Sequence, residues 1–204
     1  MRVQVHRMVR HMARQDNSTS TNMQGRVVQV STSPGGVPKL PVMAGQLSTE
    51  GFAGDSWRNR KYHGGRDQAV LLISMEVLDD LCAMGFRVFP GALGENVTTE
   101  GIDYSKLRLG QRLRLGEAEI ELTKVRVPCD TISVYGAGIQ KEIYDAQVKR
   151  GDYRSPRWGH SGFYARVLRP GVVRPQDIIG VDPPSCEGTD TTEPTEASPD
   201  GRQL

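Results

Sequence analysis

The stretch RLRLGEAEIEL (112–122) decides the fold. Leu113 and Leu115 alternate with arginines, Gly116 and Glu117 make a two-residue turn, and Ile120 and Leu122 alternate with glutamates. Alternation of period two on both sides of a short turn predicts an antiparallel hairpin with one wet face and one buried face. Upstream, GRVVQV (25–30) and AVLLI (69–73) are short aliphatic runs bounded by turn-forming residues, and they read as strands. Downstream, Phe163, Ala165 and Val167 make a late strand, with Tyr164 and Arg166 on its other face. Two helices interrupt this pattern. Ser74 caps the first, whose apolar stripe is Val77, Leu78, Leu81 and Cys82 and whose stop is Gly85. The second runs from Ile139 to Arg150, buries Ile139, Ile143 and Ala146, and stops at Gly151. The expected class is mainly β, a closed or nearly closed β-barrel with a few helices covering its ends. Cys82, on the apolar stripe, is expected to be a packed structural thiol.

Composition narrows the function. The chain has 204 residues, 37% hydrophobic and 25% charged, which suits one globular domain with polar ends. A net charge of +2 and 6% aromatics give no basic stripe with interleaved rings, so no nucleic-acid partner is expected. Residues 1–23 read as a flexible, arginine-rich extension. Val5, Met8, Val9 and Met12 recur there at helical spacing among Arg2, Arg7, Arg10 and Arg14. That pattern resembles an organelle-targeting helix, and also fits an upstream start ahead of Met23. Residues 183–204 are rich in Pro, Thr and Glu and read as a disordered acidic tail, with Cys186 a bystander. No apolar run is long enough for a membrane span, and no apolar core of a secretion signal follows the first charges. Three widely spaced cysteines suit a reducing compartment, so the cytoplasm is the expected location.

The chemistry-bearing segments lie in loops and at strand ends. There is no HExxH, paired CxxC, Walker loop or GxGxxG, which removes support for zinc proteases, zinc ribbons, P-loop enzymes and Rossmann enzymes. In HGGRD (63–67), two glycines let backbone amides face an anion, and Arg58, Arg60, Lys61 and Arg66 crowd the same loop. Four cations around Gly-rich turns suit a phosphate-bearing ligand; the plainer alternative is a solvated loop in which His63 caps a turn. Glu95 and Asn96 follow a Pro-Gly turn, where they either close the turn or support a cofactor ring. Cys129 ends VRVPC (125–129), with Lys124 and Arg126 upstream to favour the thiolate, the form that attacks electrophiles and binds soft metals. Its alternative is a buried cysteine at a strand end.

The order of these segments resembles the MOSC domain, the molybdenum cofactor sulfurase C-terminal domain family. The resemblance covers residues 24–182: GRVVQVS (25–31), GGVPKLPV (35–42), GFAGD (51–55), HGGRDQAV (63–70), PGALGENVTTEGI (90–102), LGQRLRLG (109–116), ProCys at 128–129 and SGFYARVL (161–168). It implies a mostly β barrel that binds the molybdenum cofactor, a pterin carrying a dithiolene and a phosphate. By the same resemblance, Cys129 matches the family's single cysteine, which coordinates molybdenum or holds a persulfide. Asp55, His63, Gly64, Gly65, Glu95 and Asn96 match the motif positions around it, with Asp55 and His63 in catalytic roles. Arg58, Arg60, Lys61, Arg66 and Arg126 would hold the cofactor.

Larger family members fuse this module to a pyridoxal phosphate cysteine desulfurase or to an N-terminal β-barrel; a chain of this length is expected to be the stand-alone form. The closing turn, often Gly-Asp in the family, reads Gln176-Asp177 here. The leading expectation is a reductase of small N-hydroxylated compounds that takes electrons from a separate redox protein, as a monomer or a homodimer. Two alternatives stand beside it: a non-catalytic carrier of sulfur or cofactor, and a metal-free thiol hydrolase or peroxidase pairing Cys129 with His63.

Overall fold

A computed structural model of the chain describes residues 23–56 and 65–183. The hairpin is β7 (Arg112–Leu115) and β8 (Ala118–Val125), joined at Gly116-Glu117 as its alternation requires. The remaining strands are β1 (Gln24–Thr32), β2 (Leu40–Val42), β3 (Gly45–Ser48), β4 (Gly51–Phe52), β5 (Val70–Ser74), β6 (Val97–Glu100), β9 (Phe163–Arg169), β10 (Gly171–Val173) and β11 (Ile178–Val181). Seven of them close a barrel in the order β11-β7-β8-β9-β5-β6-β1, and β1 pairs back onto β11 through Gln24, Gly25 and Arg26. Strand β2 extends β1, while β10, β3 and β4 form a small separate sheet.

Every barrel pairing is antiparallel except β5 with β6. A parallel pair needs a crossover, and α1 (Met75–Ala83) supplies it directly after β5. That explains why VLLIS (70–74) is apolar without alternation: all five residues are buried. Val70 and Leu72 join the barrel interior, whereas Ile73 packs under α1 with Val77, Leu78 and Leu81. The barrel core is otherwise the inward half of each alternating strand, including Leu113, Leu115, Ile120, Leu122, Phe163, Ala165 and Ile179.

Ser74 caps α1 as expected, its hydroxyl accepting from the Val77 amide at 3.3 Å. Cys82 departs from expectation. It is exposed, and its thiol meets the Val88 carbonyl at 3.3 Å. Val77, Leu78 and Leu81 centre the buried stripe, and at 3.6 residues per turn Cys82 falls roughly 90° from that centre. The second helix is also corrected: it is two short helices, α2 (Ile139–Ile143) and α3 (Ala146–Lys149). Tyr144 between them is extended, because Asp145 starts a new helix by accepting from the Val148 amide at 2.8 Å. Val148, rather than Ala146, is buried in the second piece.

Strand β8 carries one irregularity that sets the site. Leu122 faces Ala165 and Lys124 faces Tyr164, so Thr123 is an extra residue opposite β9. A one-residue insertion switches every later side chain to the other face. Val125 therefore points inward, and Arg126 turns to the outer surface beside Leu71 and Tyr164, which are themselves paired across β5 and β9.

Candidate functional site

On that outer surface a cleft of about 290 Å³ opens over β5, β8 and β9. Its walls include Val37, Leu71 and Leu93, and its polar groups include Lys39, Asn96, Arg126, Cys129, Thr131 and Tyr164. The size lies near the lower end for small-molecule sites, roughly 300 Å³, and the mix of apolar walls with a few convergent polar groups is what such sites use.

Cys129 ends the extended segment after β8 and precedes a 3-10 turn, Asp130–Tyr135. It is half-buried, with Sγ 3.1 Å from the Thr131 hydroxyl. Burial pushes the thiol up, but the Thr131 hydroxyl and amide and the Arg126 charge together outweigh it and hold the thiol below its ordinary value. The cation that assists is Arg126; Lys124 stands exposed on β8. Arg126 is only 4% exposed. Its Nη2 donates to the Leu93 carbonyl at 2.7 Å, and its backbone is fixed by Gly162 and by the Ser161 hydroxyl. Its Nη1 is buried and has no hydrogen-bond partner among the described residues. A buried guanidinium N–H left unpaired inside a cleft wall is a donor waiting for an acceptor.

Glu95 and Asn96 take different roles. Asn96 lines the cleft and ties β5, β1 and the loop after β4: its Oδ1 accepts from Leu71 N at 3.2 Å, and its Nδ2 donates to the Ser31 carbonyl at 3.3 Å and to Asp55 Oδ2 at 2.8 Å. Glu95 lies fully buried behind the wall, where Oε1 accepts from the Gly91 amide at 2.6 Å and from the Thr98 hydroxyl at 3.2 Å. Burial pushes its carboxyl up, partly offset by those bonds and by the Arg126 charge. Its Oε2 has no hydrogen-bond partner among the described residues.

Asp55 is tucked behind the cleft wall with a side chain 3% exposed. One oxygen accepts from the Ser33 amide at 2.8 Å; the other meets Lys39 Nζ and Asn96 Nδ2. Gly65 and Arg66 are exposed, and Arg66 faces Glu50 at 3.4 Å rather than lining the cleft. Arg58, Arg60, Lys61, His63 and Gly64 lie outside the described residues. The structure thus gathers Cys129, Arg126 and Asn96 in one cleft, backs them with Glu95 and Asp55, and leaves Arg66 apart. Sequence reasoning passed over Lys39, Thr131 and Tyr164. For Lys39 the available signal was a lone cation inside the Gly- and Pro-bounded GGVPKLPV segment. For Tyr164 it was its place on the outward face of a strand next to Arg126.

A family model described as the MOSC domain matches residues 59–180. The chain belongs to the MOSC domain family. Among relatives, YflK from Bacillus subtilis is 30% identical over 142 residues, and YiiM from Escherichia coli is 32% identical over 150 residues. Each alignment covers 69% of this chain and 60% of the relative, so the chain spans well under the full length of both. Solved structures share the MOSC fold. YiiM from Escherichia coli has a TM-score of 0.56 at 23% identity, covering 79% of this chain and 70% of its own. The YUAD protein from Bacillus subtilis has a TM-score of 0.59 at 20% identity, covering 78% of this chain and 96% of its own. Among the described residues of this MOSC chain, no helix is long and apolar enough to cross a membrane.

Proposed function

We propose that this MOSC chain binds the molybdenum cofactor in the cleft and reduces N-hydroxylated small molecules with electrons from a separate donor protein. The observation that carries the reading is the half-buried thiol of Cys129, held below its ordinary value in a cleft that also presents the buried Arg126.

The residues suit such a group. Among the described residues no three His, Cys, Asp or Glu side chains converge as metal ligands, and a cofactor that brings its own two sulfurs asks for only one more ligand from the protein. Cys129 would be that ligand, a soft donor whose thiol is held below its ordinary value. Arg126 Nη1 and Lys39 are donors for anionic oxygens, while Leu71, Leu93 and Val37 offer apolar walls to a flat ring. When bound, the molybdenum centre supplies two-electron oxygen-atom chemistry.

The chain's own residues then have defined tasks. Arg126 and the Thr131 hydroxyl and amide favour the thiolate of Cys129. Asn96 fixes the edge of β5 so that Leu71 keeps its place in the wall. Conversion of R–NH–OH to R–NH2 and water consumes two electrons, from the donor protein, and two protons, from solvent at the cleft mouth.

The test uses protein made in a host that produces the cofactor, with a reduced viologen as electron source and benzamidoxime as substrate. Benzamidine formation that disappears in Cys129→Ala supports the reading. No product from the natural chain, with persulfide sulfur on Cys129, would turn the assignment to a sulfur carrier, a role that the accessible, low-lying thiol also suits.

A further inference from the structure

We propose that Lys39 meets the anionic part of the ligand in this cleft, and that Asp55 is a positioning residue acting through Lys39 and Asn96. The inference rests on the cofactor reading above and assigns roles to two residues within it.

The backbone of Lys39 is fixed first. Its amide donates to the Gly91 carbonyl at 2.9 Å, and Gly91 holds a positive φ of 93°. A Cβ there would collide with the Lys39 carbonyl, so the approach of the two loops needs glycine. The side chain so placed lines the cleft yet leaves Lys39 only 7% exposed. An ammonium removed from water to that degree needs a counter-charge. Asp55 provides it from behind the wall, and is itself held by the Ser33 amide and Asn96 Nδ2. Asp55 does not line the cleft, so its route to a ligand is through the two wall residues it orders.

The charges around Lys39 come from several elements. Asp55 follows β4, Glu95 precedes β6, Arg126 follows β8, Cys129 lies beyond it, and Tyr164 belongs to β9. Burial lowers the lysine, with Asp55 first and Glu95 second opposing it. Removing the Asp55 charge would leave the burial effect less opposed, so the ammonium would lose its proton at lower pH. An arginine at this position would not titrate.

Calorimetric binding of 6-hydroxymethylpterin and of its phosphate monoester, by the full chain carrying Cys129→Ser so that the thiol does not titrate, tests this between about pH 7 and 10. The phosphate ester should bind tighter by roughly ten- to hundredfold, as a charge-assisted contact gives. That preference should fall as pH rises, with a midpoint below the ordinary lysine value. Lys39→Met should weaken it about tenfold and remove its pH dependence, Lys39→Arg should keep it and flatten its pH dependence, and Asp55→Asn should move its fall to lower pH. A preference undiminished in Lys39→Met, or a midpoint unmoved by Asp55→Asn, overturns the inference. Equal binding of both pterins to the chain sinks the Lys39 role and leaves the cofactor reading standing. Failure of both pterins to bind removes that reading and this inference with it.

Discussion

Glu95 illustrates how a single residue couples site and stability. Its carboxyl is pushed above the ordinary value of 4.5 by burial. The folded chain therefore keeps that proton to higher pH than the unfolded chain does. The sign follows: stability falls as pH rises from 4.5 through the raised folded value, and the loss persists above it. Glu95→Gln keeps an acceptor for Gly91 N and the Thr98 hydroxyl but cannot ionise, so this part of the fall should vanish. Urea unfolding on either side of that window checks it, and an unchanged pH slope in the variant would refute it. At this scale the sequence was a partial guide. Cys129, Arg126 and Asn96 line one cleft, Arg126 and Cys129 in the segment after β8 and Asn96 just before β6. Lys39 left only a weak signal, a lone cation in a Gly- and Pro-bounded segment, because its pairing with Asp55 forms across β3 and β4. Arg66 faces Glu50 on the surface, and the other cations of its loop lie outside the described residues.

Secondary-structure elements were legible where a local rule and the tertiary context agree. The hairpin of β7 and β8 follows from alternation, and α1 from Ser74 and its apolar stripe. The Thr123 bulge was not legible, because nothing local distinguishes an extra residue from a normal one, and it alone decides that Arg126 faces outward. The segment 139–150 had a continuous helical pattern that Asp145 divides. Asp145 Oδ1 caps α3 through the Val148 amide, and Oδ2 accepts from the Ser155 hydroxyl at 2.8 Å. Asp145→Ala should cost about 1 kcal/mol, as loss of an N-cap does. These bonds, the Val148 amide foremost, hold the Asp145 carboxyl below its ordinary value of 3.8. Its contribution is therefore present above pH 3.8 and lost as pH falls through the lower folded value, and the variant should lack that share of the acid loss. Denaturant midpoints near neutrality and in acid measure both effects; equal midpoints for variant and natural chain would contradict the cap.

At the scale of the whole molecule, the decisive contact is closure of the barrel by β11 against β1 and β7. The late strand β9 was expected, whereas β11 was not, because Ile178–Val181 is too short to announce itself without its partners. Ile179 is fully buried there, opposite Gly25 on one side and Leu115 on the other. Ile179→Ala should destabilise the chain by roughly 2–4 kcal/mol through lost burial and the cavity left behind. A much smaller change in thermal unfolding would mean that the closing strand contributes little. Closure matters for function because the cleft is built on the outer surface of the same sheet: β8, β9 and β5 hold Arg126, Tyr164 and Leu71 in register only while the barrel stays shut.

The function proposed for this cleft is to hold a molybdenum-bearing pterin through Cys129. The most direct test is the molybdenum and pterin content of the full chain, purified from a host that makes the cofactor, beside Cys129→Ala. Near-stoichiometric metal and pterin are expected in the natural chain and loss of molybdenum in the variant, with thermal stability hardly changed because the thiol is half-exposed. A natural chain without either, or a variant that keeps its molybdenum, would contradict it.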